Sequence, residues 1–500
     1  MSMKHILFII THDVGRVIGC YGNRMIRTPN LDSLAASGVR FDGHYCQWPL
    51  CGPSRANLFT GLRPPTTRRF DNTPFFEKFR QIAPTGFASM PEYFRRKGYE
   101  TFGAGFVYHD AVDGPSWSQG FYEPERDTTP LPDWAEGWLD EEFFEWKNEK
   151  SHELIRERLE EQKRRGITRE GFRTLAGRRS ALGPPVERAD VPDEAYYDGK
   201  VTRYLCQYIE SYKGNKPFFI AVGFVAPHTP FRAPAKYWDM YKREDLVLPE
   251  NDSPPEGSDD YMAGDSEPAQ YYTTHGYSKP WRATREQSRE LLHGHYATIS
   301  YIDALIGMLI ESLKKKGLFD DTIIIFTADH GYHEGEHGYW GKHNLWDKSL
   351  QVPLIIRDPE RLSPSVVPFI TEHVDVYPSL CTLADIEVPS FLEGESFVPL
   401  IEGGGHPYWK NTAVSHRAPM WHDRLKRYAM ANSLRTAGER YTEYLDESGS
   451  VVGEELFNYS NDPLEKENIV FYTASRPLRD RMKAELRRLL KAGRRNREGI

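Results

Sequence analysis

Residues 322–331 read Thr-Ile-Ile-Ile-Phe-Thr-Ala-Asp-His-Gly, an apolar run that leads directly into Asp329 and His330. A short, β-branched run of this kind is typical of a strand that is buried on both faces of a parallel sheet. The preceding residues 294–316 carry Ile and Leu at steps of three and four and end at Gly317, which predicts a helix. A helix that leads into a buried strand is the repeating unit of an α/β fold.

The N-terminus shows the same pattern. Residues 6–10, Ile-Leu-Phe-Ile-Ile, form a second short apolar run, which ends in Thr-His12-Asp13. Ligands of open parallel sheets bind at the carboxyl ends of the strands, so we expect Asp13 to lie near Asp329 and His330. Carboxylate oxygens suit Ca²⁺ or Mg²⁺, and imidazole also accepts Mn²⁺ or Zn²⁺. Taken alone, each pair of residues fits equally well as a cap on the helix or turn that follows it.

Further strands and helices alternate along the chain, which predicts an α/β fold with a large, mostly parallel sheet between helices. Towards the C-terminus, alternating polar and apolar residues predict a smaller antiparallel sheet, closed by a helix at 476–490. We therefore predict a larger domain at 1–384 and an α+β subdomain at 385–500. The charge-dense segment 130–191 is predicted to be a helical insertion, and 250–285, rich in Pro, Gly, Asp and Ser, a surface loop.

Composition excludes several classes of protein. The chain has 500 residues, 39% of them hydrophobic, and a formal net charge of −8. This mild acidity is opposite to the basic excess of nucleic-acid and membrane-surface binders, so we expect neither partner. No apolar run approaches the roughly 18 residues of a membrane span, and the N-terminal run lacks the cleavage site of a signal peptide. The five cysteines are scattered and odd in number, unlike a disulfide framework. Together these features predict a cytoplasmic protein.

A third chemical feature lies at residues 51–61, Cys-Gly-Pro-Ser-Arg-Ala-Asn-Leu-Phe-Thr-Gly. Pro53 and Gly61 predict a helix that starts just after Cys51, and a helix N-terminus favours an anion at that position. Arg55, one turn further, would direct a planar guanidinium at the same point. A single Cys with a nearby Arg is nevertheless more often structural than catalytic.

The order of these residues resembles the sulfatase signature, Cys-x-Pro-Ser-Arg followed by Thr-Gly, of the alkaline-phosphatase-like superfamily. Further segments match the same family in order, in particular its iduronate-sulfatase-like and phosphonate-monoester-hydrolase-like members. They are Thr28-Pro-Asn-Leu-Asp32, Tyr296–Gly307 with Asp303, Thr327-Ala-Asp-His-Gly331, Gly335-Glu-His-Gly338, Trp340-Gly-Lys-His343, Val352-Pro-Leu-Ile-Ile356 and Glu455-Leu-Phe-Asn458. The resemblance covers most of the chain except 130–191, and it implies the alkaline-phosphatase-like fold with 1–384 as the catalytic domain.

The resemblance implies two cofactors. Cys51 would be oxidised to formylglycine by a separate formylglycine-generating enzyme, and the hydrate of that aldehyde would supply the nucleophilic oxygen. A divalent metal is also implied, for which Ca²⁺ is our expectation and Mg²⁺ or Mn²⁺ the alternatives. The side chains that match the family's metal site are Asp13, Asp329, His330 and the modified Cys51, with His12 as a fifth candidate.

The same matching assigns four further roles. Arg55 would hold the nucleophile and neutralise charge, and Lys342 would contact the sulfate oxygens. His228, in Val-Ala-Pro-His-Thr-Pro-Phe at 225–231, matches the histidine that binds sulfate or protonates the leaving group. His109 matches the histidine that helps to break the intermediate. The predicted substrate-binding residues are thus Arg55, His228 and Lys342.

Two positions depart from the family pattern. The family usually has Asp-Asp at the first metal position, where this chain has His12-Asp13, so His12 either binds the metal through nitrogen or only lines the site. The family also usually has a lysine two or three residues before the histidine matched by His109. This chain has Phe106 and Val107 there, so one cation that contacts the sulfate is missing.

We predict a sulfatase that hydrolyses the sulfate ester of a sugar or another small organic molecule. The preference for a sugar rests on residues 227–232 alone. The two departures keep open an alternative of the same fold, a phosphonate monoester or phosphodiester hydrolase. A non-catalytic binding protein with unconverted Cys51 is a third alternative, disfavoured by the intact motif, and a homo-oligomer is left open. A thiol enzyme that uses Cys51 directly lacks a base beside it in the sequence.

Overall fold

The computed structural model describes residues 4–109, 112–125, 145–166, 183–259, 262, 266–272, 281–402, 407–422 and 427–498. Its strands are β1 His5–Thr11, β2 Val39–Tyr45, β3 Glu100–Gly105, β4 Phe121–Tyr122, β5 Val186–Ala189, β6 Phe218–Gly223, β7 Phe231–Pro234, β8 Thr322–Ala328, β9 His333–Glu334, β10 Trp340–Gly341, β11 Gln351–Val352, β12 Leu354–Arg357, β13 Ser365–Glu372, β14 Ala413–His422, β15 Arg427–Arg435, β16 Glu439–Asp446 and β17 Val451–Asn458. Its α-helices are α1 Pro29–Ala36, α2 Cys51–Thr60, α3 Pro64–Thr67, α4 Phe76–Phe79, α5 Met90–Arg96, α6 Glu149–Arg164, α7 Tyr197–Ser211, α8 Ala235–Trp238, α9 Ala269–Tyr272, α10 Arg285–Lys316, α11 Asp347–Leu350, α12 Val376–Leu383, α13 Val398–Ile401 and α14 Arg476–Glu498.

β1 lies inside the largest sheet, whose order within the described residues is β11-β2-β12-β8-β1-β6-β3-β4, with β13 beside β2. β1 pairs in parallel with both β8 and β6, and β3 continues the parallel run on β6. β12 is antiparallel to both β8 and β2, so β2 points the same way as β1. The carboxyl ends of β1, β2, β3, β6 and β8 therefore meet at one edge. The predicted α/β class with a large, mostly parallel sheet is confirmed.

The side chains of β1 alternate between two apolar layers. Leu7 and Ile9 belong to the layer formed with α7 and α10, while Ile6, Phe8 and Ile10 belong to the layer formed with α2, α5 and α12. All five side chains are fully buried, because helices cover the sheet on both sides. This double burial explains why the N-terminal run is continuously apolar instead of alternating with polar residues.

The helix α10 begins at Arg285, earlier than the start predicted at residue 294. Thr284 and Gln287 form a capping box, in which each side chain accepts a hydrogen bond from the other residue's backbone N–H. The first turns of α10 are polar, so the apolar period that identifies the helix starts late. By length and composition α10 could cross a membrane, but 83% of its most apolar 18-residue window is buried inside the protein.

The C-terminal part contains the smaller antiparallel sheet and the helix that the sequence predicts. β14 to β17 pair with one another in chain order. Met482 and Leu486 of α14 pack against Leu434, Tyr441 and Leu456 of this sheet. The division of the chain into 1–384 and 385–500 stays a prediction.

The predicted insertion at 130–191 is described only in part, because 126–144 and 167–182 lie outside the described residues. Its described part contains α6, which buries Ile155 and Leu159 and turns charged residues outward, as a peripheral helix does. It also contains β5, which pairs in parallel with β7. The helical prediction missed β5, since Val-Glu-Arg-Ala at 186–189 has no strand signal apart from its pairing partner.

Asp303 of α10 connects that helix to α1, and we predict that Asp303→Ala destabilises the protein. The carboxylate accepts hydrogen bonds from the backbone N–H groups of Asn30 and Leu31, at 3.2 and 2.8 Å, in the first turn of α1. Asp303 is 1% exposed, so its removal leaves both N–H groups unsatisfied in a buried place. We expect a loss of about 2–4 kcal/mol in stability, measured as a lower urea midpoint. Glu311→Ala on the exposed face of α10 is the matched control, and an equal shift in both variants would contradict the argument.

Candidate active site

Residues that follow β1 and β8 meet at the sheet edge in a buried cluster of ionisable groups. His12 Nδ1 lies 3.2 Å from Asp329 Oδ2, and His330 Nδ1 lies 3.3 Å from Asp13 Oδ1. All four side chains are fully buried. Asp13 adopts a left-handed backbone conformation, with φ of 50°, and its N–H donates to Asp329 Oδ1 at 3.2 Å. Strained non-glycine residues of this kind cluster at functional sites.

The donor atoms of this cluster fit a divalent cation. Donors from His12, Asp13 and Asp329 lie within 4.8 Å of one another, as do donors from Cys51, Asp329 and His330. Among the described residues, neither ring nitrogen of His12 has a hydrogen-bond partner, and Asp13 Oδ1 has none either. Unpaired polar atoms are unfavourable in a buried place, and a cation would satisfy all three. The structure therefore brings the predicted metal residues together, with His12 among them.

The two carboxylates have opposite pKa shifts. Burial raises the pKa of Asp13 well above its ordinary range. Burial acts in the same direction on Asp329, but His330 and Arg55 outweigh it and hold the pKa of Asp329 below its ordinary value. Burial lowers the pKa of His330 to about 4 and the pKa of His12 well below its usual value. Both imidazoles are thus neutral near pH 7, as metal ligation requires.

Cys51 is the first residue of α2 and lies against the same cluster. Its Sγ is 3.2 Å from His330 Nε2, and the residue is 2% exposed. Burial raises the pKa of the Cys51 thiol well above its usual value, and Lys342 and Arg55 do not reverse the effect. A thiol with a raised pKa is a weak nucleophile near pH 7. This finding argues against direct thiol catalysis on electrostatic grounds, although the structure places His330 Nε2 beside the thiol where the sequence showed no neighbouring base.

Arg55 lies one turn along α2 and is 1% exposed. Its Nε donates to Asp329 Oδ2 at 3.1 Å, and its Nη1 donates to the backbone carbonyls of Phe106 and Val107. Among the described residues, Nη2 has no hydrogen-bond partner although it is buried. The guanidinium is therefore held rigidly with one donor left over, which suits it to bind an anion beside Cys51.

The loop after α3 covers the first turn of α2 with two residues that sequence reasoning missed. The Gly52 N–H donates to Asn72 Oδ1 at 2.9 Å. A Cβ on Gly52 would lie 2.6 Å from a guanidinium nitrogen of Arg69, so the glycine makes room for that side chain. Arg69 is 6% exposed and adds a further cation near Cys51. In the sequence, Gly52 is the one sign that another group packs closely against the first turn of α2, but it does not show that this group is Arg69.

Lys342 follows β10 and lies between two acids. Its Nζ is 3.1 Å from Asp13 Oδ2 and 3.0 Å from Glu267 Oε1. Asp13 and Glu267 overcome the effect of burial and raise the pKa of Lys342 well above its usual value, so it is a cation. Glu267 also lies 3.4 Å from His343 Nε2.

Sequence reasoning missed Glu267 because it placed residues 250–285 in a surface loop. That prediction is wrong for 266–272, which contain the helix α9 at Ala269–Tyr272 and bury Ser266 and Ala269. The Pro and Gly content that suggested a loop is real, but loop composition does not exclude packing over a site. Residues 260–261, 263–265 and 273–280 of the segment lie outside the described ranges.

His228 and His109 come from the loops after β6 and β3. His228 Nδ1 lies 2.7 Å from the Thr229 carbonyl, so Nδ1 carries the proton and Nε2 is the unprotonated nitrogen. His228, His12 and Cys51 place donor atoms within 4.8 Å of one another. His109 is less central, and its ring packs against Phe106 with centroids 5.4 Å apart. Burial lowers the pKa of both His228 and His109 to about 3.

A series of buried, hydrogen-bonded side chains ends at the backbone carbonyl of Asp329. His373 Nε2 donates to the Asp329 carbonyl at 3.1 Å, which fixes His373 Nδ1 as an acceptor. His44 Nε2 lies 3.1 Å from that nitrogen and must donate to it, so His44 Nδ1 accepts from Thr371 Oγ1 at 2.8 Å. The tautomers of both histidines and the orientation of the Thr371 hydroxyl therefore follow from one carbonyl. No motif in the sequence connects these residues, because they come from β2, β13 and the turn after it.

Two family models match the chain. The model described as Sulfatase matches residues 4–386, and the model described as N-sulphoglucosamine sulphohydrolase, C-terminal, matches residues 335–492. Iduronate 2-sulfatase of Homo sapiens is 28% identical over 553 residues, covering 93% of this chain and 90% of that protein. Choline-sulfatase of Rhizobium meliloti is 28% identical over 457 residues, covering 89% of this chain and 78% of that protein.

Solved structures share the fold over nearly the whole chain. A protein solved in complex with its substrate D-glucosamine-2-N,6-O-disulfate superposes with a TM-score of 0.72 at 20% identity, covering 99% of both chains. Phosphonate monoester hydrolase of Agrobacterium radiobacter superposes with a TM-score of 0.71 at 22% identity, covering 98% of this chain and 96% of that one. At these identities the likeness shows the fold.

We predict that a divalent cation stabilises the protein and that a chelator removes this effect. A cation held by the native cluster at 100 times its dissociation constant adds about 2.7 kcal/mol of stability. EDTA should therefore lower the midpoint of thermal unfolding, and excess Mn²⁺ or Ca²⁺ should restore it. Asp329→Asn should abolish the response to EDTA and metal. Asp321→Asn changes an exposed aspartate directly before β8 and should keep the response. A midpoint that ignores EDTA and added metal in the parent protein would contradict the metal site.

Proposed function

The chain belongs to the sulfatase family, and on that premise we propose that it hydrolyses the sulfate ester of a sugar at the site around Cys51. The observation that carries the proposal is the buried Nη2 of Arg55, a cationic donor beside Cys51 with no partner among the described residues. Lys342 adds a second buried cation. Positioned cations and the N-terminus of α2 stabilise negative charge on a transferring sulfuryl group.

Formylglycine at position 51 is part of the proposal. When present, it supplies an oxygen nucleophile at the first residue of α2. The raised pKa of the Cys51 thiol supports this assignment, since an unmodified cysteine there would remain protonated. Because Cys51 is 2% exposed, a formylglycine-generating enzyme would have to act before the chain has folded.

The resident metal would be held by Asp13, Asp329, His330 and His12, together with the group at position 51. A dication there supplies Lewis acidity and neutralises charge on the reacting oxygens. The sequence leads us to expect Ca²⁺, with Mg²⁺ and Mn²⁺ as the alternatives, and Asp13 and Asp329 supply carboxylate oxygens that all three ions accept. Arg55 orients Asp329 through its Nε, so the same guanidinium connects the metal cluster to the bound sulfate.

His228 would protonate the oxygen of the departing alcohol. In the resting site its Nδ1 proton is donated to the Thr229 carbonyl, and burial and Lys342 hold its pKa at about 3. A bound sulfate ester brings negative charge close to the ring and raises that pKa. The second proton then resides on Nε2 only when substrate is present. His109, neutral near pH 7, is suited to accept a proton in the later step.

A phosphonate monoester or phosphodiester hydrolase is the second candidate. It is supported by the similar fold of the Agrobacterium radiobacter enzyme and by the two departures from the sulfatase pattern, His12 and the absence of a lysine at Phe106 and Val107. Sulfate ester hydrolysis is favoured by the two relatives described above, iduronate 2-sulfatase and choline-sulfatase, whose names state sulfatase activity.

A paired-substrate assay tests the proposed function. Protein co-expressed with a formylglycine-generating enzyme should hydrolyse 4-nitrophenyl sulfate, and Cys51→Ala should lose that activity. Cys20→Ala, which changes another cysteine away from the site, is the control and should retain it. Turnover of an aryl phosphonate monoester or phosphodiester without turnover of the sulfate would overturn the proposal in favour of the second candidate.

The role of His228 predicts a dependence on the leaving group. A sugar alkoxide needs a proton in order to leave, whereas 4-nitrophenolate does not, so His228→Ala should slow hydrolysis of a sugar sulfate by about 10²-fold or more. The loss for 4-nitrophenyl sulfate should be much smaller. His293→Ala, a half-buried histidine on α10, should leave both rates unchanged. Equal losses for the two esters would show that His228 binds the sulfate and does not act as the acid.

A further inference from the structure

His12 is the residue at one departure from the family pattern, and Phe106, with Val107, is at the other; the rings of His12 and Phe106 contact each other with centroids 4.7 Å apart. We infer that the two replacements compensate for each other in charge, and that His12 is a nitrogen ligand that makes the centre select a first-row transition metal such as Mn²⁺ over Ca²⁺. The inference deepens the proposed function, because it rests on the metal dependence proposed there.

The position of His12 supports ligation over simple packing. Its side chain is fully buried, and neither ring nitrogen has a hydrogen-bond partner among the described residues. Nδ1 lies 3.2 Å from Asp329 Oδ2, but without the geometry of a hydrogen bond. Packing against Phe106 satisfies a face of the imidazole ring and leaves its nitrogens unsatisfied. A cation in the cluster would use the lone pair of one nitrogen directly.

The donor set decides which cation fits. Two groups of donor atoms share Asp329, and together they supply the carboxylates of Asp13 and Asp329, the imidazoles of His12 and His330, and the group at position 51. Ca²⁺ takes six to eight oxygen ligands, whereas first-row transition metals accept imidazole, and Mn²⁺ accepts it alongside the carboxylates that it shares with Ca²⁺ as preferred ligands. Two imidazole ligands in one set therefore disfavour Ca²⁺. Replacing a family carboxylate with an imidazole changes the metal preference without moving the backbone.

The charges of the site balance across the His12–Phe106 contact. Imidazole at position 12 removes one negative charge relative to aspartate, and the apolar pair Phe106 and Val107 removes one positive charge relative to the family's lysine. A dication with fewer anionic ligands keeps more of its charge for the substrate, which offsets the absent lysine. The Phe106 ring also lies 5.1 Å from the guanidinium carbon of Arg55, so it forms an apolar wall beside two groups of the site.

Direct metal binding tests the inference without any enzyme assay. The full chain carrying Cys51→Ala is stripped with a chelator, so that a soft thiol cannot contribute to the preference. The dissociation constants of Mn²⁺ and Ca²⁺ are then measured by calorimetry. We expect tighter binding of Mn²⁺, and His12→Asp should lower the preference for Mn²⁺ over Ca²⁺ by roughly tenfold or more. His293→Asp, the same substitution at a histidine of α10, should leave the preference unchanged.

Pulsed EPR of bound Mn²⁺ counts the nitrogen ligands independently of any variant's folding. The Cys51→Ala protein with His12 intact should show couplings to two imidazole nitrogens, and the same protein with His12→Asp or His12→Gln should show one. A single nitrogen in the parent, or tighter binding of Ca²⁺ than of Mn²⁺, would overturn the inference and leave the proposed function intact. Binding of neither ion would remove the metal dependence itself, and the inference with it.

Discussion

The parallel register of β1 against β8 is the constraint on which the site depends. Ile10 pairs with Thr327 and Thr11 pairs with Ala328, so β1 and β8 end at the same level of the sheet. His12 and Asp13 therefore emerge directly beside Asp329 and His330. Because the apolar layers on both faces fix this register, a slip of one residue would turn every side chain of β1 to the wrong layer. The burial of five side chains on one strand thus determines the positions of four ionisable ones.

Asp329 is the residue through which the rest of the site is ordered. Its carboxylate meets His12 and Arg55, and its backbone carbonyl accepts hydrogen bonds from Ser54 and His373. These partners come from the residue after β1, from α2 and from the turn after β13, so one aspartate connects three parts of the chain. The cations around it explain why its pKa stays low in a buried place, where a lone carboxylate would bind a proton.

The sequence was sufficient for those parts of the site that lie at strand ends. Asp13 and Asp329 follow continuous apolar runs, and the parallel sheet that such runs predict brings their ends together. Glu267 and Arg69 could not be predicted in the same way, because each reaches the site through a segment whose position depends on what it packs against. Glu267 sits in a stretch with the composition of a surface loop, and Arg69 is recognisable only through the space left by Gly52. The periodic spacing of apolar residues predicts which side chains form the core. The packing of loops depends on contacts between residues that are distant in sequence.

The surroundings of Cys51 show what the cations of the site are for. Lys342 and Arg55 are buried nearby, and α2 presents its N-terminus, yet the pKa of the thiol is raised, because burial, Asp329 and Asp13 act against ionisation. A site that generated a thiolate would need those carboxylates elsewhere. Instead, they occupy positions where they hold cations, and the leftover donor of Arg55 points to an anion that is not part of the protein. The electrostatics of the cluster thus favour a bound ester over an ionised cysteine, which accords with a nucleophile made by modification of Cys51 and not by its deprotonation.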